Sequence, residues 1–146
     1  MSVTTDHDWP SILGPLPAMA AHVGIVYHGS LPNGTAGGAP VLAMPFTMQL
    51  MGRPGFLQGG ATASLIEMAG LVGLRAVMLD RHGDTMPRVK PINVTIDYLR
   101  GGEAVVSYAS ARITRMGRSL ANVEAFGWQV SVDEPIAIAQ MHYLVG

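Results

Sequence analysis

The sequence predicts an α+β fold, a curved antiparallel sheet of about six strands wrapped around one long central helix. Two observations lead to this prediction. Residues 60–79 form a helix-like run that is apolar on nearly every side, and such a helix is buried rather than laid on a surface. Two strand-like segments precede the run and four follow it. Only a strongly curved sheet, with a cover on the remaining side, buries a single helix of this kind.

Turn residues separate the segments that precede the helix. Residues 1–20 contain three prolines and read as an irregular arm with at most a short helix. "HVGIVYHGS" (residues 22–30) predicts a strand, and "APVLAMPF" (residues 39–46) predicts a second one. The intervening "LPNGTAGG" (residues 31–38) is a turn, since Pro and Asn-Gly supply the backbone angles that a tight reversal needs.

The central helix contains residues that an isolated helix would avoid. Gly70 and Gly73 each cost about 1 kcal/mol relative to Ala in a helix interior, so we expect another element to pack tightly against the backbone there. The run is long enough to span a bilayer, but Glu67 and Arg75 would each cost about 2.5–3.5 kcal/mol at its centre. We therefore expect a buried core helix and no membrane association.

Four strand candidates follow the helix, at residues 88–100, 103–115, 119–132 and 135–145. The links "RGGE", "MGRS" and "VDEP" are short, which predicts adjacent antiparallel strands in a meander. One face of "LANVEAFGWQV" carries only small side chains, which suits close packing against the helix. Its members are Ala121, Val123, Ala125 and Gly127.

Composition excludes several classes of function. The 146 residues fit one domain spanning residues 1–146. Hydrophobic residues make up 49% and charged residues 13%, a balance that favours an oligomer. The net charge of -1 gives no electrostatic case for nucleic acid or an anionic membrane. The five histidines lack metal-ligand spacing. The chain has no cysteine and its first residues lack signal-peptide features, which fits a cytoplasmic protein.

Three phrases in order resemble a known family. Gln58-Gly59-Gly60 precedes Glu67 by nine residues, counted from Gln58; the family has His-Gly-Gly at the start of its central helix and an acid nine residues after the His. "NVTIDYLRGG" matches a strand that ends in Phe/Tyr-Leu-Arg, and "ITRMGRSLANVEA" matches a strand pair around an Arg-Gly-Arg-like turn. Over residues 20–146 the chain resembles the hotdog-fold acyl-CoA thioesterase superfamily of the phenylacetate-pathway (PaaI-like) type.

The resemblance implies a hotdog fold and hydrolysis of an acyl-CoA thioester to free acid and coenzyme A. It implies no cofactor and no metal, with coenzyme A present only as part of the substrate. It also implies a homodimer with shared active sites and favours a dimer of dimers. The chain departs from the family twice, with Gln58 in place of the His and Leu71 where relatives with a Glu often have Thr or Ser.

Thioester hydrolysis needs an activated water or a nucleophile, donors for the developing oxyanion, and a slot for the acyl chain. The resemblance implies that Glu67 is the general base or the nucleophile, and the residues leave both roles open. A low-polarity site would raise its pKa and make it a better base. The other interpretation is a buried acid satisfied by Arg75, Ser64 or water. Ser64 lies on the same helix face as Glu67 and partly replaces the hydroxyl lost at Leu71.

The Gly pair precedes the first helical turn, whose N–H groups have no partner within the helix. Gly59 is therefore a candidate oxyanion donor, and Gly60 allows a substrate to approach the backbone; an ordinary glycine-rich helix entry is the alternative. Gln58 either orients water or substrate through its amide or is an exposed loop residue. Arg115 and Arg118 either bind the phosphates of coenzyme A, as this region does in some relatives, or are solvated turn residues.

Two other functions remain open on the same fold. One is a non-catalytic acyl-CoA-binding module, which the missing His and hydroxyl favour. The other is a dehydratase or hydratase, a chemistry that pairs a His with an acid, and no His lies near Glu67 in sequence. For the same reason we expect the activity to rise with pH through one ionisation, that of Glu67.

Overall fold

A six-stranded antiparallel sheet curves around one long helix in the computed structural model of the chain, which describes residues 2–146. The predicted fold class is confirmed. The central helix, α3, spans Gly59–His82. Two short helices and six strands complete the fold: α1 (Trp9–Leu13), α2 (Met19–Val23), β1 (Val26–Leu31), β2 (Ala39–Met44), β3 (Val89–Tyr98), β4 (Ser107–Met116), β5 (Leu120–Trp128) and β6 (Ala137–Val145).

The strands lie in the order β1-β2-β4-β5-β6-β3, which corrects the predicted meander at one point. β4, β5 and β6 are neighbours as expected, but β3 pairs with β6 and not with β4. The predicted strand 103–115 also begins later, at Ser107, because the chain from 99 to 106 crosses the end of the sheet instead of forming a hairpin. Along this crossing the amide of Leu99 donates to the Ile136 carbonyl, and the carbonyl of Gly102 accepts from Leu57.

The helix packs as closely against the sheet as its glycines predict. A Cβ at Gly73 would lie 3.0 Å from the Cβ of Ala111 on β4, and one at Gly70 would lie 2.5 Å from the Sδ of Met141 on β6. The small face of β5 is buried beneath α3, and Gly127 lies against Ile66. The apolar helix therefore supplies much of the core that the sheet encloses. By length and composition alone, α3 is long and apolar enough to span a membrane. In the folded chain, 56% of its most apolar stretch is buried inside the protein.

The N-terminal arm is more ordered than an irregular segment. Trp9 on α1 is buried, and its indole N–H donates to the Gly29 carbonyl at 3.1 Å and to the Ser30 hydroxyl at 2.8 Å. The predicted strand 22–30 begins only at Val26, because its first residues form the last turn of α2. Gly24 ends that helix in the left-handed conformation, with φ of 76°. The arm therefore places α2 beside the start of α3.

Candidate active site

The N-terminus of α3 presents free backbone donors. Gln58 is its N-cap and makes no side-chain cap hydrogen bond. Within residues 2–146, no acceptor is found for the N–H groups of Gly59 and Gly60, whereas those of Ala61 and Thr62 donate to the Gln58 carbonyl. Gln58, Gly59 and Gly60 are exposed. Two N–H groups at the positive end of a 24-residue helix are therefore open to a ligand.

Neighbouring strands and loops fix the position of this helix terminus. The amide of Gln58 donates to the Leu50 carbonyl at 2.8 Å, and the amide of Leu57 donates to the Gly102 carbonyl at 2.8 Å. The Tyr98 hydroxyl, at the end of β3, donates to the Gly59 carbonyl at 3.1 Å. That bond uses the carbonyl of Gly59 and leaves its N–H free.

Glu67 is exposed in the chain, which corrects the expectation of a carboxylate buried in an all-apolar helix. The side of α3 that carries Ser64 and Glu67 is not covered by the sheet. The alternative in which Arg75 or Ser64 satisfies the acid is wrong as well. The hydroxyl of Ser64 donates to the Gly60 carbonyl at 2.9 Å, and in the described chain the single salt bridge joins Arg112 to Glu124. Among residues 2–146, Glu67 thus makes no side-chain hydrogen bond or salt bridge, and its carboxylate faces solvent.

A groove of about 390 Å³ lies beside Glu67. Its other walls are mostly apolar, which suits an acyl chain: Pro17, Met19, Met68, Leu71, Pro91 and Met141, with Ser64 and Tyr143 as the polar members. We call this space the acid groove. Leu71, the departure from the family pattern, contributes an apolar wall here rather than a hydroxyl.

Tyr143 is a buried residue of the acid groove that sequence reasoning missed. Burial, and then the negative charge of Glu67, raise the pKa of its hydroxyl. The phenol is therefore protonated throughout the physiological range and remains a hydrogen-bond donor. Its contact in the chain is the Sδ of Met141 at 3.9 Å, a weak acceptor. In the sequence, only the position of Tyr143 in a predicted strand could have indicated that it is a buried hydrogen-bond donor of this groove.

A second space, of about 320 Å³, continues along the same side of the helix and contains Gln58 and Gly60. We call it the amide groove. Met19 and Ser64 line both grooves, so they form the boundary between them. His22 of α2 also lines the amide groove, although it lies 36 residues before Gln58 in the sequence. No sequence signal links these two residues, because the contact depends on how the arm folds back.

Gly59 opens into a third space, of about 270 Å³, lined also by Tyr98 and Arg100. The structure therefore brings Gly60, Ser64 and Gln58 together and places Glu67 in the adjoining groove. It does not place Gly59 and Glu67 in one cavity of a single chain. In the described residues no three His, Asp or Glu side chains converge to form a metal site.

Arg118, in the turn between β4 and β5, lies at the other end of the helix. Arg118 lines a space of about 620 Å³ with Arg81 and His82 from the last turn of α3. Arg115 is exposed on β4 and does not line that space. Sequence reasoning identified Arg118 but missed the two basic residues that the helix adds to it.

The sheet, the single central helix and the strand order together define a hotdog fold, with a mostly apolar groove on the open side of the helix. The chain belongs to the thioesterase superfamily, whose family model matches residues 54–136. The matched region contains the helix N-terminus, Glu67 and the β4–β5 turn. No curated protein sequence matches the chain closely enough to count as a relative.

Solved structures show the same fold at low sequence identity. A phenylacetic acid degradation-related protein of Ralstonia eutropha is 22% identical, with a TM-score of 0.73 over 93% of this chain and 97% of that one. A thioesterase of Staphylococcus aureus is 16% identical, with a TM-score of 0.71 over 88% and 98%. A Bacillus halodurans protein solved with CoA is 19% identical, with a TM-score of 0.68 over 89% and 79%.

Proposed function

We propose that the protein hydrolyses an acyl-CoA thioester to a free acid and coenzyme A. One observation carries the proposal: Glu67, an exposed acid that makes no ion pair within residues 2–146, lines a mostly apolar groove that adjoins the space containing the free N–H of Gly60. A mostly apolar groove with a few convergent polar groups is the usual form of a small-molecule site, and Glu67 is the acid that lines it. Membership of the thioesterase superfamily supports the same reaction class.

The proposed reaction uses backbone donors, an acid and a side-chain amide. The thioester carbonyl accepts hydrogen bonds from the N–H of Gly59, assisted by Gly60, where the helix dipole stabilises the developing oxyanion. Glu67 either takes a proton from the attacking water or attacks the carbonyl carbon itself. Gln58 orients the water or the substrate through its amide, and Ser64 marks the point where the two grooves meet. The acyl chain lies among the apolar walls of the acid groove.

Coenzyme A would be held by charge at a distance from the reacting carbon. Arg118, Arg81 and His82 line one space, and guanidinium groups match phosphate oxygens in pairs. Arg115, near the end of β4, is a second candidate for the phosphates, although it does not line that space. The Bacillus halodurans structure contains CoA, which supports a CoA ester as the substrate class.

The test is hydrolysis of a panel of acyl-CoAs, followed by release of free thiol. We expect turnover by the wild type with at least one acyl group and a large loss in Glu67→Gln, which keeps the size of the side chain and removes its charge. Equilibrium binding of the same acyl-CoAs is measured in parallel. Tight binding without turnover would replace hydrolysis with the non-catalytic acyl-CoA-binding function, which the Gln58 and Leu71 departures favour.

A further inference from the structure

His22 lies in the amide groove with Gln58, the residue that stands where the family has a histidine. Both side chains line the same space of about 320 Å³, together with Gly60 and Ser64. Among the residues that line this groove, His22 is the only one with a titratable side chain. An imidazole is therefore present beside the start of α3, but it comes from α2.

The backbone of α2 is well anchored although His22 itself is exposed. Ala20 is buried at 4% exposure, and Val23 packs against the main core. The amides of Gly24 and Ile25 both donate to the carbonyl of Ala20, which closes the helix end. The Cα of His22 is therefore held at the rim of the groove, and its side chain remains free to reach a ligand.

The groups that face His22 in the amide groove are uncharged. From α3 the groove presents Gln58, Gly60 and Ser64, which are uncharged, and the nearest ionisable group along the helix is Glu67 in the adjoining acid groove. The turn Met48–Leu50 presents Gln49 and Leu50, which are uncharged as well. Imidazole is the side chain whose charge changes between pH 5 and 8.

We propose that His22 is the general acid of the reaction and supplies the imidazole that Gln58 lacks, an inference that rests on the proposed hydrolysis. In the general-base route, the oxygen of water bonds to the carbonyl carbon while Glu67 takes one water proton. The C–S bond then breaks, its electron pair goes to sulphur, and the imidazolium of His22 gives its proton to that thiolate. The proton on Glu67 returns to the imidazole through solvent, and the products are the acid and the thiol.

This role changes the expected pH dependence. Glu67 must be ionised and His22 protonated, so kcat/KM would rise through the first group and fall through the second, instead of following one ionisation. In His22→Gln the falling limb should disappear. The loss at low pH should be about 10²-fold, the lower end for a lost acid or base, because a thiolate is a better leaving group than most. The ratio of wild-type to variant activity should then shrink toward one as the pH rises.

The leaving group separates proton donation from a structural role. An ordinary thiol has a pKa of about 8.5 and benefits from a proton as it departs, whereas an aryl thiol is more acidic and needs none. We expect His22→Gln to slow hydrolysis of an acyl-CoA strongly and hydrolysis of the matching aryl thioester very little. Added imidazole should restore part of the activity of His22→Ala with the acyl-CoA.

His28→Gln is the matched control, since His28 is exposed on β1 with its ring centroid 4.9 Å from that of Tyr108 and does not line either groove. It should keep the wild-type pH profile. A wild type that hydrolyses no acyl-CoA would overturn the proposed function and this role with it. A wild type that turns over, with His22→Gln equally slow on both classes of thioester or unchanged on both, would overturn the role of His22 alone.

Discussion

Single residues decide what the groove can do, and Glu67 shows where sequence reasoning held and where it failed. The three-residue spacing between Ser64 and Glu67 predicted that both lie on one helix face, and both line the acid groove, because helix geometry is regular. The apolar neighbours of Glu67 in sequence indicated burial, yet the residue is exposed. Burial depends on which side of the helix the sheet leaves uncovered, and that side is not encoded in the helix itself.

Glu67→Ala should reduce turnover of the best acyl-CoA by about 10²–10⁴-fold, the range for a lost acid or base. Because Glu67 is exposed and makes no ion pair, the free energy of unfolding should change by less than about 0.5 kcal/mol. Steady-state kinetics and thermal unfolding of the same preparation check both parts. Glu103→Ala, at another exposed acid, serves as the control. Near-wild-type turnover in Glu67→Ala would remove Glu67 from the site.

At the scale of elements, periodicity and turn residues located the helix and most strands, but not the order of all strands. The predicted helix 60–79 lies within α3, because its apolar run is long and its ends are marked by Gly59 and Gly83. The link "RGGE" looked like a hairpin, yet β3 lies beside β6. A short link predicts adjacency only when both strand ends are known, and the strand after this link begins at Ser107, four residues later than predicted.

The short helix α2 should limit the length of the acyl chain. Met19 is 53% exposed and lines both the acid groove and the amide groove, so Met19→Ala should join the two. Longer acyl groups would then gain about 0.8 kcal/mol, roughly fourfold in kcat/KM, for each CH2 that becomes buried. The measurement is kcat/KM across a series of straight-chain acyl-CoAs. Met48→Ala, at a residue 70% exposed outside both grooves, should leave the optimum chain length unchanged, and an unchanged optimum in Met19→Ala would contradict the prediction.

Three strands are joined on the surface of the sheet by Glu124. The Gln140 amide donates to its carboxylate at 2.9 Å, and the Arg112 guanidinium donates to it at 2.7 Å. The hydrogen bond from Gln140 and then that from Arg112 hold the pKa of Glu124 below its usual value, although its partial burial raises it. Because the pKa is lowered in the folded state, the stabilisation is complete above the ordinary carboxyl pKa of about 4.3 and is lost as the pH falls through the lowered value.

Glu124→Gln should therefore cost stability at pH 7 and much less at pH 3. The pair is partly exposed and screened by solvent, so the pH-dependent part should be about 0.2–1 kcal/mol. Urea unfolding of wild type and variant at several pH values measures this difference. Glu103→Gln provides a matched change at an acid outside this network. A deficit in Glu124→Gln that stays the same from pH 7 to pH 3 would show that packing, and not charge, is responsible.

At the scale of the whole molecule, the sheet has two edge strands, β1 and β3, and it leaves one side of α3 uncovered. β3 is the edge strand next to β6, and its exposed apolar side chains include Ile92 at 49% and Tyr98 at 55%. An apolar edge strand of this kind favours pairing with another chain. The low share of charged residues, 13%, favours the same outcome. We infer a homodimer, and its second chain would supply the cover that the apolar helix predicts for the open side of α3.

The dimensions of the helix favour an active site shared between two chains, which we propose. Gly59 and Glu67 are eight residues apart, which is about 12 Å along the axis. A Glu side chain leaning toward the helix N-terminus recovers only about 4 Å of that, whereas the reacting carbonyl must lie about 3 Å from both the donor and the attacking group. In the chain these residues line separate spaces. Two antiparallel helices about a two-fold axis would place Gly59 of one chain opposite Glu67 of the other, forming two equal sites.

Complementation between two inactive chains tests the shared site. One chain carries Glu67→Ala, and the other carries Gly59→Pro, which removes the N–H donor at the first helical position, where proline is tolerated. If Gly59 and Glu67 act across the dimer, a hybrid contains one site with both defects and one with neither. Subunit exchange should then restore about half of the wild-type activity per hybrid dimer. Differently tagged chains, purified through both tags, measure that activity directly. A hybrid that forms but stays inactive would place both residues of each site in the same chain, since two such chains each carry a defect in their own site.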